Sequence, residues 1–494
     1  MRSTPYAATF ETHAAVVFLV GDRAYKLKKP VDLGFLDFRE RADREAVCHR
    51  EVELNRRMAA DVYLGVADVH APDGGVCDHL VVMRRMPADR RLSTLVRTGA
   101  PVAGDLRRLA RMLAAFHATA RRGPRISAEG GAGALLGRWD ATFAQLRPFH
   151  GAVLPAATAT AIEQLTHDFV AGRGPLFAGR VAAGRIVDGH ADLLADDIFC
   201  LDDGPRVLDC IEFDDRLRWV DGLDDAAFLA MDLERLGAAG LAADFLDRYA
   251  EFAADPAPAA LRHHYVAYRA YVRAKVACLR HAQGDAAAAA EAADYAALTL
   301  RHLRAGTVRL VLVGGTPGTG KSTLAGRLAD RLGAVVLASD RLRKELAGVD
   351  PGRAAAAPYR QGIYTADWTR RTYDLMLTRA RRLLERGETV VLDASWTQAA
   401  HRAAARALAA DTRSTLAELR CTAGPAEVAE RLARRAGETY RASDADAVIA
   451  AALAAEADPW PEATAVPTDG TPDDSVENAL ARLRLGPAVL GAAS

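Results

Sequence analysis

Alternation of apolar and polar positions opens the chain. Ala15-Val-Val-Phe-Leu-Val20 and Arg23-Ala-Tyr-Lys-Leu-Lys28, parted by Gly21-Asp22, predict two strands within Thr12–Pro30. The period of two puts Lys26 and Lys28 on one face. A helix dense in Arg and Glu is predicted from about Arg39 to Met58, carrying Glu51 and Glu53, and a further strand pair near Val66–His70 and His79–Met83. From Leu106 to Ala120 the spacing turns helical, and after Gly130-Gly-Ala-Gly133 it stays so to about Val170. A loop, strand, turn (Asp203-Gly204) and strand then span Gly189–Asp214, before helical pattern resumes from Asp221 through Ala226–Leu233, Tyr265–Lys275 and Ala286–Leu303. Past the short joint Arg304–Thr307 the pattern changes again. Val308–Val313, Ala334–Ala338 and Thr389–Leu392 are near-continuous apolar runs, as expected of buried strands in a parallel sheet, Thr415–Cys421 gives another strand, and helical stretches lie between them. A last strand at Thr464 and a helix over Ser475–Leu483 close the pattern. The fold class that follows is α/β in two domains. The first, residues 1–304, has a small lobe (about 1–86) and a helical large lobe (about 87–304); the second, 305–494, is a parallel α/β domain.

The chemistry is densest after the run Val308–Val313. Gly315-Thr316-Pro317-Gly318-Thr319-Gly320-Lys321-Ser322 fits the phosphate-binding P-loop, in the strand, turn, helix order that its chemistry needs. The glycines let successive N–H groups face anionic phosphates, with Thr323 closing the motif; Lys321 is placed to reach the β and γ phosphates and Ser322 to ligate Mg²⁺. Carboxyl ends of parallel strands line the ligand crevice, which brings in Asp340, Arg343 and Asp393. Asp340 and Arg343, one helical turn apart, suit a base and an anion-holding group, and Asp393 suits the organisation of Mg²⁺ or its water shell. Arg431 and Arg435 share a helix face, as a lid over a transferring phosphoryl group requires.

In the first domain, Asp192, Asp197 and Asp209 gather at one end of the strand–turn–strand unit, and clustered carboxylates imply a cation such as Mg²⁺ between them. These residues, with His190-x-Asp192 and the later Asp209, resemble the aminoglycoside-phosphotransferase branch of the protein-kinase-like fold. The resemblance implies that Asp192 is the catalytic base, that Asp197 stands where an Asn metal ligand belongs, and that Asp209 is the second metal ligand. It also implies that Lys26 or Lys28 holds the ATP phosphates, Lys26 being preferred, with Glu51 as ion-pair partner. Arg84–Met86 would fall near the hinge. Departures are Asp197 for Asn, Ala191 for a Gly, and Leu194 for a second His. Residues 307 to about 486 resemble the P-loop kinases of small hydroxyls or nucleic-acid ends: polynucleotide 5′-kinase, zeta toxin, chloramphenicol phosphotransferase and gluconate kinase. The Asp340-x-x-Arg343 spacing is similar to the polynucleotide-kinase pattern. Both halves in this order resemble a widespread bacterial fusion of an aminoglycoside-phosphotransferase-like domain with an ATP-binding domain.

Composition narrows the reading only slightly. Lys+Arg and Asp+Glu are 64 each, so no global charge points to nucleic acid or a membrane surface. Six cysteines at 48, 77, 200, 210, 278 and 421 have no paired spacing, which reads as reduced thiols in a cytoplasmic protein. No apolar stretch reaches membrane-span length, and Ala14–Val20 is too short for a signal-peptide core. The expected activity is transfer of the ATP γ-phosphoryl group, with Mg²⁺, to a hydroxyl of a small molecule or a nucleic-acid end. A nucleotide-driven switch with a degenerate kinase-like half is the alternative from another class. An acidic antibiotic pocket would draw on Asp221, Asp224 and Asp225, and the basic, aromatic stretch Tyr265–Lys275 reads as a packing helix.

Overall fold

The computed structural model describes residues 6–11, 14–32, 37–350, 361–436 and 447–483. It divides into two compact units, one comprising Met1–Pro155, Ala178–Ala257 and Tyr265–Thr299, the other Ala156–Phe177, Pro258–His264 and Leu300–Ser494.

The first unit opens on an antiparallel sheet of β1 (Ala7–Glu11), β2 (Ala15–Val20), β3 (Arg23–Lys28), β4 (Tyr63–His70) and β5 (Val76–Arg84), in the order β1-β2-β3-β5-β4. Val20 pairs with Arg23, so Gly21-Asp22 makes the predicted two-residue turn, with Gly21 at φ 60°. The predicted helix runs over Arg41–Ala59 and buries Cys48, Val52 and Ala59 against Ala24, Tyr63, Val81 and Met83 of the sheet. The two ends of Glu51's surroundings, helix and β3, are thereby fixed by apolar contact. The remainder is helical, broken by two short antiparallel pairs: β6 (Ile186–Asp188) with β9 (Trp219–Asp221), and β7 (Ile198–Leu201) with β8 (Gly204–Val207). Leu201 pairs with Gly204, which puts the turn at Asp202-Asp203, one residue before its expected place.

The second unit is built on a parallel sheet of β10 (Arg309–Gly314), β11 (Val335–Ala338), β12 (Val390–Asp393), β13 (Thr415–Thr422) and β14 (Thr464–Pro467). Its order is β11-β12-β10-β13-β14, so β11 and β12 lie to one side of β10 and β13 and β14 to the other, the order reversing at β10. Ligand crevices in open α/β sheets lie at that reversal, outside the carboxyl ends of the strands. Leu310 to Val313 are fully buried, which is why the run reads as continuous rather than alternating. The helix Lys321–Leu332 buries Leu324, Ala325, Leu328 and Ala329 against Val311, Val313, Val391 and Leu419, and the helix Pro472–Arg482 adds Val476, Ala479 and Leu480.

Candidate active sites

In the second unit the loop after β10 has Gly315 at φ 140°, Gly318 at φ 87° and Gly320 at φ 79°, conformations that side chains rarely adopt. A Cβ on Gly315 would stand 2.5 Å from Thr319 Oγ1, and one on Gly318 would stand 2.8 Å from Val428 Cγ1. The loop is thus closed from outside by the helix Pro425–Ala436 and braced from within, Thr319 Oγ1 donating to Thr316 O (2.7 Å) and Thr468 Oγ1 to Thr319 O (2.8 Å). Gly320 caps the helix that starts at Lys321, leaving that helix's first N–H groups open toward the loop. Arg431 reaches over it. Its Nε pairs with Glu427 (2.7 Å) and its Nη2 donates to Thr468 O (2.6 Å). Its buried Nη1, without a hydrogen-bond partner, lies 3.2 Å from where a Gly320 Cβ would be. Parallel pairing aligns the ends of three strands, Val313 with Asp393 and Asp393 with Ala338, so Asp393 and Asp340 flank the loop. Asp393 is buried and its Oδ1 has no hydrogen-bond partner. Asp340 accepts from Tyr364 Oη (3.1 Å), and the Nζ of the buried Lys344 lies 3.5 Å from its Oδ2. Cys421, beneath the loop, is pushed up to about 12 by burial, an effect Asp393 reinforces and Lys321 and Arg431 oppose, which marks all four as neighbours.

In the first unit, Lys26 Nζ lies 3.0 Å from Glu51 Oε1 and 2.5 Å from Asp209 Oδ1. Lys28 Nζ lies 2.6 Å from Glu51 Oε2 and pairs also with Glu212. Burial works to raise the Glu51 carboxyl, but the two ammonium groups overcome it and hold it below its ordinary value; Asp209 is lowered against its own burial by Lys26. Glu212 goes the other way, raised by burial and by Glu51 and Asp209. Asp192 is pushed up to about 6 by burial, with Asp209 and Asp232 adding to the effect and Arg273 and Arg269 opposing it. Asp197 is raised further, by burial and then by Asp209 and Asp192. Asp192 and Asp197, both crowded by Asp209, are the donor chemistry a hard divalent cation needs. Among the described residues no three His, Cys, Asp or Glu side chains form a ready-made metal cage. A Mg²⁺ ion there would complete its shell with phosphate oxygens and water.

Residues 310–459 match the family model for an AAA domain. The Mycobacterium tuberculosis (strain ATCC 25618 / H37Rv) protein Rv2004c is 47% identical over 477 residues, covering 96% of this chain and 95% of the relative. The chain belongs to the family of Rv2004c. Among solved structures, the GDP and kanamycin complex of APH(2")-IIia is similar at 15% identity, over 60% of this chain and 93% of that chain, with a TM-score of 0.41. A gluconokinase from Sinorhizobium meliloti 1021 is similar at 20% identity, over 36% of this chain and 92% of that chain, with a TM-score of 0.26. This Rv2004c-family chain thus carries an antiparallel sheet in its first unit and, largely within the residues that match the AAA-domain model, a parallel sheet whose first strand leads into the P-loop motif.

Several residues to which the sequence pattern gives another role hold the Rv2004c-family sites together. Asp225, fully buried, accepts from His190 N (2.7 Å), Ala191 N (2.7 Å) and His117 Nε2 (3.0 Å). It thereby sustains φ 70° at Ala191, a left-handed conformation that explains why a glycine is expected there. Asp224 is held by both arms of Arg269 (2.7 and 2.9 Å), and Asp221 by Arg180 (2.7 and 2.6 Å) and Tyr265 Oη (3.1 Å). This corrects the acidic-pocket reading: all three carboxylates are buried and spent on internal partners. Tyr265, Tyr268 and Tyr271 are buried as well, in keeping with a packing helix. Arg343 turns inward, 7% exposed, donating to Ile363 O and Thr369 Oγ1 (both 3.1 Å) and stacked 5.1 Å from the Tyr364 ring. The Arg435 side chain lies outside the described residues.

The raised Asp197 carboxyl has a stability consequence. An acid whose folded-state value exceeds its unfolded one costs nothing below about pH 4, and the cost grows as pH rises through the folded value. Asp197→Asn is therefore expected to gain stability over the parent as pH rises from about 4 to about 8, in metal-free urea unfolding. A gain independent of pH would refute the assignment of charge crowding at this position.

Proposed function

We propose that the chain is an ATP-dependent phosphotransferase with two sites, the P-loop site transferring to a hydroxyl of a small molecule. The observation that carries this reading is Arg431 Nη1, buried beside Gly320 and without a hydrogen-bond partner, on a guanidinium whose other two nitrogens are fixed by Glu427 and Thr468 O. The N–H groups from Gly318 onward and Lys321 would hold phosphate oxygens, and Ser322 with Asp393 would hold Mg²⁺ or its water. Bound there, Mg²⁺ supplies charge neutralisation at the phosphates. Asp340, oriented by Tyr364 and Lys344, would take the acceptor's proton as the acceptor oxygen bonds to the γ-phosphorus and the bond to the β,γ-bridging oxygen breaks, releasing ADP. The inward turn of Arg343 favours a small hydroxyl acceptor over a strand end whose phosphate needs an anchor.

In the kinase-like unit Lys26, rather than Lys28, joins Glu51 to Asp209, which supports it as the phosphate-holding lysine. Asp192 would be the base and Asp197 and Asp209 the metal ligands. Six unpaired cysteines support a reducing compartment, the cytoplasm. Among the described residues no helix is long and apolar enough to cross a membrane.

The test is mass-spectrometric detection of phosphorylated products from Mg-ATP and a pooled metabolite extract, comparing the parent with Asp192→Ala and Lys321→Ala. One product lost only in each variant is expected, each naming an acceptor. If ATP is consumed and no product carries phosphate, a nucleotide-driven switch replaces the kinase reading.

A further inference from the structure

The Lys26–Glu51 pair places one face of the helix Arg41–Ala59; it does not say what holds that helix against the loop carrying Asp192. Two residues beyond Glu51 do so. Asn55, one turn on and 1% exposed, donates Nδ2 to Glu51 O and accepts the Cys210 N–H at Oδ1, both at 2.9 Å. Arg57 spans further. Its Nη1 donates to Asp188 O (3.1 Å) and its Nη2 to Gly189 O (2.9 Å), with Cys210 Sγ at 3.1 Å from the same nitrogen. Its guanidinium lies 5.0 Å over the Phe116 ring and 3.6 Å from Asp188 Oδ1. Asp188 is in turn fixed by Arg218 Nε at 2.9 Å.

These contacts fall at chemically telling places. Asp188 and Gly189 immediately precede His190-Ala-Asp192, and Cys210 immediately follows Asp209. One planar fork thus ties three segments to each other: the helix bearing Glu51, the loop bearing Asp192 and the segment bearing Asp209. A lysine is a point donor and cannot reproduce several directed bonds at once. We infer that Arg57 is a positioning residue of the kinase-like site, locking the Glu51 helix onto the Asp192 loop so that the site stands assembled without an activating modification. The inference rests on the kinase reading of this unit, and deepens it. Near-attack geometry tolerates displacements well below an ångström, so loss of this lock falls on turnover rather than on nucleotide binding.

The experiment uses the full chain carrying Lys321→Ala, which silences the P-loop site, with Arg57 intact, Arg57→Lys or Arg57→Ala. Binding of a fluorescent ATP analogue with Mg²⁺, steady-state ATP turnover, thermal unfolding and amide hydrogen exchange are read together. Expected are nucleotide affinities within about threefold of the parent, turnover reduced about 30-fold or more in both variants, and exchange at Gly189, His190 and Ala191 faster by at least about tenfold with β3 unchanged. Unchanged turnover and exchange in Arg57→Ala would overturn the inference, as would losses that track a lowered melting temperature across the whole unit. If the chain with Arg57 intact neither binds the analogue nor turns over ATP, the kinase reading of this unit has failed, and the exchange pattern alone decides whether Arg57 is the lock.

Discussion

Glu51→Gln is expected to destabilise the first unit by about 3–5 kcal/mol, the usual result of breaking a buried ion pair from one side. Glu51 is wholly buried and offers one oxygen to each of two lysines, at 3.0 Å to Lys26 and 2.6 Å to Lys28. Glutamine keeps the shape and removes the charge that both ammonium groups face. Lys26 retains Asp209 and Lys28 retains Glu212, so the lower end of that range is expected. The sign with pH follows from the lowered Glu51 value. Its stabilisation is present above the unfolded value of about 4.3 and is lost as pH falls through the folded one. Urea unfolding of Glu51→Gln and parent, followed at pH 7 and pH 4, should therefore show a wide gap at the higher pH and a narrower one at the lower. Equal midpoints at pH 7 would mean that the lysine–glutamate–lysine triad does not form in solution.

Lys321→Ala is expected to lower kcat/KM for the P-loop reaction by a factor on the order of 100 or more while leaving the melting temperature nearly unchanged. Phosphoryl transfer asks little covalent chemistry of the protein, so a preorganised cation at the phosphates carries much of the rate enhancement. Lys321 starts the helix Lys321–Leu332 and is only half-buried, which leaves packing intact when it is cut back to alanine. Activity retained within tenfold, with Mg-ATP saturating, would show that Arg431 and the loop backbone suffice and that the lysine is not the principal anion holder. A large fall in melting temperature would instead trace the loss to the fold.

β10 and β12 were readable because a strand buried in a parallel sheet is a continuous apolar run with turn chemistry at its end, whereas β11, expected to be buried, lies at the sheet edge with Val336 38% exposed, and β13 is interrupted by Glu418 and Arg420. β1 escaped because Ala7–Glu11 is a short, mostly exposed edge strand with little alternation to detect. The choice between Lys26 and Lys28 stayed open for a related reason. Alternation places both on one face, and only the fold reveals that each takes one oxygen of Glu51 while Lys26 also reaches Asp209. Asp221-Gly-Leu-Asp-Asp225 has the composition of a solvated turn, yet it ends β9 and starts the helix Gly222–Arg235. Its carboxylates are buried because Arg180, Arg269 and His117 arrive from positions 41, 45 and 108 residues away. Partners at such separations leave no local pattern. Asn55, Arg57 and Thr468 went unremarked for the same reason, since each acts through backbone atoms of a remote segment.

The divided makeup of the second unit sets an order of events during synthesis. Arg173 donates to the carbonyl of Thr412, 239 positions later in the chain, and a Cβ on Gly172 would stand 2.2 Å from that same oxygen. The helix Ala156–Gly172 therefore leaves the ribosome roughly 10–50 s before the partner that buries it exists. The first unit, complete at Thr299, has all its strands in hand long before then. Nascent chains should thus protect the Lys26–Glu51 region early and leave Gly172 and Arg173 without their Thr412 partner until that residue emerges.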